Sequence, residues 1–410
     1  MDAKMAWRNI WRNPRRTILT LAAIAFGTLL LVFMLSWQFG SYDTMINSAV
    51  GIHTGHLQVQ HPVYKEKHAM RDVVAHPREV TSRLGALSAV SAYTTRANAF
   101  VLLSSAERTY GAMVIGIDPG REAAVSTLES LVRKGDFLDS ADTNQALVGE
   151  LLARNLKVDL GDEVVVLGQG RDGSIAATVV VVKSIFASGQ DALDRSTMHV
   201  PLPFFQETFA MDGAVHEVVV LGRELAQVPE IKAQLAAALG KNPEDGSLAV
   251  WDWSELMPGL VQAIKLDLTG GLIFYFILII VVAFSILNTF LMAVFERTRE
   301  FGIMLAMGTA PGRLSKILFM ESMAQTLLGV LLGIIAGSLV TWYFELNGIV
   351  ISGADEMMRQ FGLPERMHPD LSWLSVAIGA AIVLILTLLT ALYPVIKVRR
   401  LTPLRAMTAI

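Results

Sequence analysis

Few polar residues in this 410-residue chain are spaced for chemistry. GQGRDG at Gly168 to Gly173 fits GxGxxG by letter and follows a strand-like run, Glu163 to Leu167. Another strand-like run follows, Ile175 to Val182, so no helix N-terminus is placed to hold a pyrophosphate and the motif reads as a hairpin turn. His53 and His56, with His61 and His68 nearby, invite a metal. On an extended strand i and i+3 point to opposite faces, so these read as surface histidines and no metal is expected. Asp159, Asp162 and Glu163 read as the solvated turn before a strand. No nucleophile, base or paired-acid constellation emerges, and no catalytic residue is expected.

What remains is mechanical, and it centres on Glu296 to Ser322, ERTREFGIMLAMGTAPGRLSKILFMES. This charged, helix-prone stretch lies between two long apolar runs, so it must be the turn joining two membrane spans. Phe301, Met304, Leu305 and Gly308 fall at i, i+3, i+4 and i+7, lining one face of a short helix with apolar and small groups. Glu296, Arg297, Arg299 and Glu300 fill the turn before it. Gly308 is expected to end the helix and Pro311 to open the next span. Such a half-apolar knuckle either offers a surface to a soluble partner or lies in the headgroup layer.

The elements that position this knuckle follow from composition. With 53% hydrophobic and 17% charged residues, the chain is too apolar for an ordinary soluble protein. Four runs, 17–39, 268–295, 317–344 and 371–396, each exceed the roughly 20 residues a helix needs to cross about 30 Å of hydrocarbon. There are no cysteines, so neither a disulfide framework nor a thiolate metal site is available. Basic residues collect before the first run (Lys4, Arg8, Arg12, Arg15, Arg16), in the knuckle (Arg297, Arg299, Arg313, Lys316) and after the fourth run (Lys397, Arg399, Arg400, Arg405). The segments 40–267 and 345–370 are acidic on balance. By the positive-inside rule, both termini and the knuckle are expected in the cytoplasm and a large domain outside.

Residues 1–16 put Lys4, Arg8, Arg12 and Arg15 on one helical face and Trp7, Ile10 and Trp11 on another, the pattern of an interfacial helix, which Pro14 breaks from the first span. The apolar run after it is too long for a signal peptide, so an uncleaved anchor is expected. Segment 40–267 changes to mixed strands and helices. His56 to Gln60, Phe100 to Ser104, Ala112 to Ile117, Glu217 to Leu221 and Leu248 to Trp253 read as strands; Pro77 to Ala86 and Pro229 to Leu239 read as helices. Two βαβ-like parts flanking an insertion predict an α+β core split by a strand-rich subdomain at about 122–214. In the second span, Asn288 is expected to face other helices. In the third, Gly329, Gly333 and Gly337 form a face without side chains that permits close helix contact. Glu321 is expected to form a structural ion pair near the cytoplasmic interface.

Four stretches carry a resemblance: AWRNIWRNPRRT (Ala6 to Thr17), GHLQVQ (Gly55 to Gln60), ERTREFGIMLAMGTAPGRL (Glu296 to Leu314) and PVIKVRRLTPLRAM (Pro394 to Met407). They resemble the ABC transporter permease family that includes LolC, LolE, MacB and FtsX. LVGELLARNLKVDLGDEVVV (Leu147 to Val166) and SIFASGQDALD (Ser184 to Asp194) look most like its lipoprotein-releasing branch. The resemblance implies an α-helical membrane protein with four transmembrane helices and a large α+β periplasmic domain, of porter-like and sabre-like subdomains, between helices 1 and 2. The corresponding divisions are 1–16, 17–39, 40–267, 268–295, 296–316, 317–344, 345–370, 371–396 and 397–410, with the last a cytoplasmic tail.

The resemblance further implies a bacterial inner-membrane assembly of two permeases, identical or sister chains, with two soluble ABC ATPase subunits. Phe301, Met304 and Leu305 would seat in the ATPase groove, with Glu296, Arg297, Arg299 and Glu300 at its rim and Gly308 closing the helix. No GxxxxGK[ST] occurs in the sequence, so no cofactor is expected on this chain; ATP and Mg belong to the partner ATPase. Cargo in that branch is lipoprotein or lipid. Three acyl chains represent roughly 40 kcal/mol of burial, so an apolar cavity would be required. Phe33, Leu35, Phe39, Phe274 and Phe276, on the first two spans, are its expected lining. A periplasmic carrier or adaptor is a further possible partner, and nucleic acid is not. Two alternatives stay open: a mechanotransmission permease acting on an efflux adaptor or cell-wall hydrolase, and a membrane-anchored receptor with no ATPase.

Overall fold

The computed structural model describes residues 2–239, 248–350, 353 and 366–399. The described chain divides into two compact units. One is built from the residues up to Tyr42, from Ala263–Val350 and from Arg366 onward; the other comprises Asp43–Gln262. The tail residues 400–410, with the basic motif expected there, lie outside the described residues.

The first unit is helical. A short helix, Asp2–Ile10, precedes span 1 (Pro14–Ala49); span 2 is Pro258–Glu296, span 3 Pro311–Asn347 and span 4 Trp373–Arg399. All four are long and apolar enough to cross a membrane. Between spans 2 and 3 lies the loop helix, Thr298–Ala306. Gly308 follows it at φ +91°, a conformation that a Cβ resists, and Pro311 opens span 3 as its first residue. The spans pack around Ile24, Leu31, Val282, Ile286, Phe290, Val330, Val383 and Ala391.

Spans 1 and 3 approach at backbone distance. A Cβ on Gly329 would stand 2.8 Å from Ile24 Cβ, one on Gly333 2.6 Å from Ala25 O, and one on Gly337 3.1 Å from Leu29 Cα. The glycine stripe is thus a contact inside the chain. At the other end of span 1, Gly40 lies under His368 and Asp370, whose amide donates to Ser36 O at 2.9 Å. Trp7 and Trp11 are exposed and meet edge to face, 6.3 Å apart. Ile10 does not join them as expected: it is fully buried, because the helix turns that side inward.

The second unit carries a ten-stranded sheet. Its strands are β1 (Leu57–Gln60), β2 (Val90–Ser104), β3 (Thr109–Ile117), β4 (Val132–Gly135), β5 (Gln145–Gly149), β6 (Glu163–Gln169), β7 (Ile175–Phe186), β8 (Thr197–Pro201), β9 (Glu217–Gly222) and β10 (Ala249–Asp252). The order is β10-β1-β9-β2-β3-β8-β5-β7-β4, with β6 pairing β2 and β7. The expected insertion therefore does not build a sheet of its own: β4 to β8 extend the sheet of the flanking parts through β3 and β2. Its proposed start, Glu122, falls inside the helix Pro119–Val125 with its side chain buried. Gly168 and Gln169 end β6 and Gly170 to Gly173 lie in the β6–β7 turn, with Gly173 at φ +89° and Asp172 Oδ1 accepting from Ser174 N at 2.9 Å.

Alternation explains the two faces of the central strands. Leu57, Val59, Ala97, Ala99, Val218 and Val220 face the main apolar core. The opposite face is polar yet also buried: Gln58 and Gln60 on β1, Thr94, Arg96 and Asn98 on β2, and Glu217 on β9. In register Glu217 stands between Gln60 and Arg96.

Candidate functional site

The loop helix is the part of the membrane unit that sequence singles out, and its geometry divides the residues assigned to it. Phe301 is only 3% exposed and packs with Val294, Leu314, Leu318 and Val398 from spans 2, 3 and 4; Met304 and Leu305 are half-buried against the same cluster. Periodicity located the apolar face; this chain's own spans cover Phe301 on it, while Met304 and Leu305 stay half-exposed. The exposed face is Arg299, Ile303, Ala306 and Met307, with Met307 73% exposed. No sequence signal marked Ile303 and Met307 as the outward pair, because they are as apolar as the residues behind them.

Arg297 is likewise not at an open rim. It is buried, its guanidinium lies 5.4 Å from the Phe301 ring centroid, and its Nη1 donates to both Glu321 oxygens at 3.1 and 2.9 Å. Arg16 Nη2 reaches the same carboxylate at 3.3 Å, and Arg16 Nη1 lies 3.7 Å from Glu296. Arg12 pairs with Glu300. Glu321 thus holds two arginines from different segments.

The remaining expected residues separate. Asn288, expected among helices, is exposed on span 2 of this chain, one turn from the exposed Phe284 and Met292. Its position follows from span 2 offering the bundle only the side of Val282, Ile286 and Phe290. Phe274 and Phe276 are exposed. Leu35 and Phe39 are half-buried, and Phe33 packs edge to face on Phe344 of span 3 at 5.8 Å. Spans 1 and 2 meet directly, with Tyr275 OH donating to Met34 O at 3.1 Å. The five residues therefore do not converge on one cavity within this chain.

The second unit contains a buried polar layer that sequence reasoning missed. Arg96 is 1% exposed and forks onto Glu122, with Nε to Oε2 at 3.1 Å; its Nη1 donates to the carbonyl of His53. Burial by itself would raise Glu122, but the charge and hydrogen bonds of Arg96 hold it below the usual glutamate range. His199, on β8, is pushed down to about 3 by burial, opposed by Glu122 and reinforced by Arg96. His56 is buried rather than at the surface: its Nδ1 accepts from Gly222 N at 3.0 Å.

Glu217 accepts from Asn98 Nδ2 at 2.9 Å, while its second oxygen and Gln60 Oε1 have no donor among the described residues. Burial pushes it up to about 7. The sign follows: a carboxyl raised from 4.5 to about 7 on folding costs nothing below 4.5, costs more as pH rises to 7, and costs its full amount above. Glu217→Gln keeps the acceptor for Asn98 and places an amide toward Gln60. The variant is expected to unfold less readily than the parent at pH 8, by up to about 3 kcal/mol, with the difference gone by pH 4. Thermal unfolding of the full chain across that range checks it.

Comparison with known proteins fits this architecture. Residues 17–238 match the MacB-like periplasmic core domain and residues 272–403 the FtsX-like permease C-terminal domain. A lipoprotein-releasing system transmembrane protein LolC from Xylella fastidiosa is 25% identical over 74% of this chain and 75% of its own length. LolC from Neisseria meningitidis is 24% identical over 95% of this chain and 93% of its own. LolE from Haemophilus influenzae is 22% identical over 99% and 98%. The four apolar helices, the sheet-based unit between the first two and the loop helix before the third are thus accounted for together: the chain belongs to the FtsX-like ABC transporter permease family with a MacB-like periplasmic core domain, a family of multi-pass bacterial inner-membrane proteins.

Proposed function

We propose that this chain is the permease subunit of an ABC transporter that uses ATP hydrolysis on a separate ATPase subunit to extract or release lipoproteins, or lipids, from the inner membrane toward the periplasm. In this reading the termini and loop helix are cytoplasmic, as the lysine and arginine distribution supports, and the sheet-based unit is periplasmic. The observation that carries it is the loop helix: one side fixed by Phe301 to three spans, the other presenting Ile303 and Met307 to water. A helix held in that way can be gripped and pushed without peeling from the bundle. The exposed side of span 2, with Asn288 amid apolar residues, suits a second permease, since an amide in hydrocarbon needs a polar partner. Lipoprotein release is favoured as cargo chemistry by the LolC and LolE relatives, which are lipoprotein-releasing system transmembrane proteins.

Met307→Glu tests the contact. The parent is expected to co-purify with a soluble ABC ATPase, and the variant to melt like the parent but lose capture of that ATPase by about 30-fold or more, as for loss of a central apolar anchor. Unchanged capture would refute the contact. Reconstituting the complex in vesicles with a triacylated protein tests the cargo: release that proceeds equally without ATP would end the proposal.

A further inference from the structure

Three charged side chains behind the loop helix do more than its packing requires. Glu321 of span 3 is 4% exposed, Arg297 at the start of the loop helix 11% and Arg16 of span 1 14%, each for the side chain. Removing such groups from water costs several kcal/mol per ion, and a packed apolar trio would be as stable or more so. Stability therefore does not explain why charges stand here.

Connectivity does. The apolar cluster that seats the loop helix draws its residues from spans 2, 3 and 4 and from the loop helix itself; among the described residues it includes none from span 1. Between the N-terminal helix and the loop helix lies a cavity of about 440 Å³, lined by Asn9 and Arg12 on one side and by Phe301, Ile303 and Met304 on the other. Span 1 packs on span 3 from Gly329 onward, but at the Pro14 end the links given among the described residues from span 1 and its leading turn to the loop helix and its two junctions are ionic: Arg16 to Glu321 and Glu296, and Arg12 to Glu300. Arg297 joins the same Glu321. The turn is itself braced, since Thr17 Oγ1 donates to Ile10 O across the break at Pro14.

We propose that the Arg16–Glu321–Arg297 cluster, with Arg12–Glu300 beside it, is the fastening through which movement of the loop helix is imposed on span 1. This rests on the reading of the loop helix as the ATPase contact. Apolar surfaces across a cavity can be pushed together but part under tension, whereas an Arg–carboxylate link is directional and holds in both senses. Span 1 runs in sequence into the sheet-based unit, so a link that pulls as well as pushes delivers a reversible stroke to it. Arg12 and Arg16 are positioning residues: they touch neither nucleotide nor cargo.

The test uses the full-length chain in complex with the ABC ATPase expected to co-purify with the parent. The chain has no native cysteine, so I175C and W373C, both at exposed positions, can carry spin labels without background. In the parent, ATP with vanadate is expected to change the distance between the labels. In Arg12→Gln/Arg16→Met the ATPase is expected to bind and hydrolyse ATP as before, because the Phe301 cluster and the Arg297–Glu321 pair persist, while the distance change is lost. Arg12→Lys/Arg16→Lys, which keeps the charges, is expected to restore it. Should the double variant fail to fold, Arg16→Met alone, retaining Arg12–Glu300, is expected to give a reduced change. A distance change of parental size in the neutral variants overturns the fastening, and so does loss of ATPase binding together with the change, since the arginines would then merely seat the helix. A parent that binds no ATPase, or binds one without any distance change, overturns the transporter reading itself.

Discussion

Glu122→Ala is expected to destabilise the sheet-based unit by about 3–5 kcal/mol, enough to leave much of it unfolded at growth temperature. The reason is what remains behind. Arg96 is 1% exposed, and among the described residues its guanidinium would keep the His53 carbonyl and ring nitrogen as its partners. Because the loss comes from an uncompensated charge and not from a missing attraction, removing both ends should cost less than removing one. Arg96→Met/Glu122→Leu is accordingly expected to recover most of the stability lost by Glu122→Ala, and a double-mutant cycle on thermal unfolding of the full chain measures it. Additive losses would show that the pair contributes by packing alone. The same pair sets a pH limit: Glu122 is held below its usual range, so its contribution is fully present above that range and lost as pH falls through its lowered value.

How far such a layer could be read from sequence depends on what alternation conceals. Thr94, Arg96 and Asn98 alternate with small residues along β2, the pattern of a strand with one wet face, and nothing in sequence says that the segment around His53 and the helix Pro119–Val125 cover that face. Phe100 to Ser104 was legible as strand because its residues are apolar; Val90 to Ala99, the longer part of β2, was not. The bounds of the loop helix were legible because glycine at positive φ and proline at a first turn are backbone requirements, independent of partners. Its outward face was not, since hydrophobic period locates an apolar stripe but not whether the chain or another protein buries it. For Phe301 it is the chain. Asn288 presents the reverse case: a polar group in an apolar span implies a partner, but not one within the same protomer.

The glycine stripe on span 3 was the most transferable signal, and it supports the second large effect. Gly333→Leu is expected to abolish the native packing of the membrane unit, costing more than about 3 kcal/mol and leaving little folded protein in a mild detergent. Even a Cβ there would stand 2.4 Å from Thr28 Cβ and 2.6 Å from Ala25 O. Neither obstacle is the free end of a flexible side chain, so span 1 itself must retreat. Span 4 also meets span 1 at backbone distance, since an added Cβ on Gly379 would stand 3.1 Å from Val32 N. Gly337→Ala, whose nearest obstacle is 3.1 Å away, is expected to be tolerated with a small fall in melting temperature, and Gly333→Ala to lie between. A graded series of this kind, read by size-exclusion profile and thermal melting, separates backbone contact from helix propensity, because alanine favours a helix over glycine by roughly 1 kcal/mol and propensity alone predicts the opposite trend.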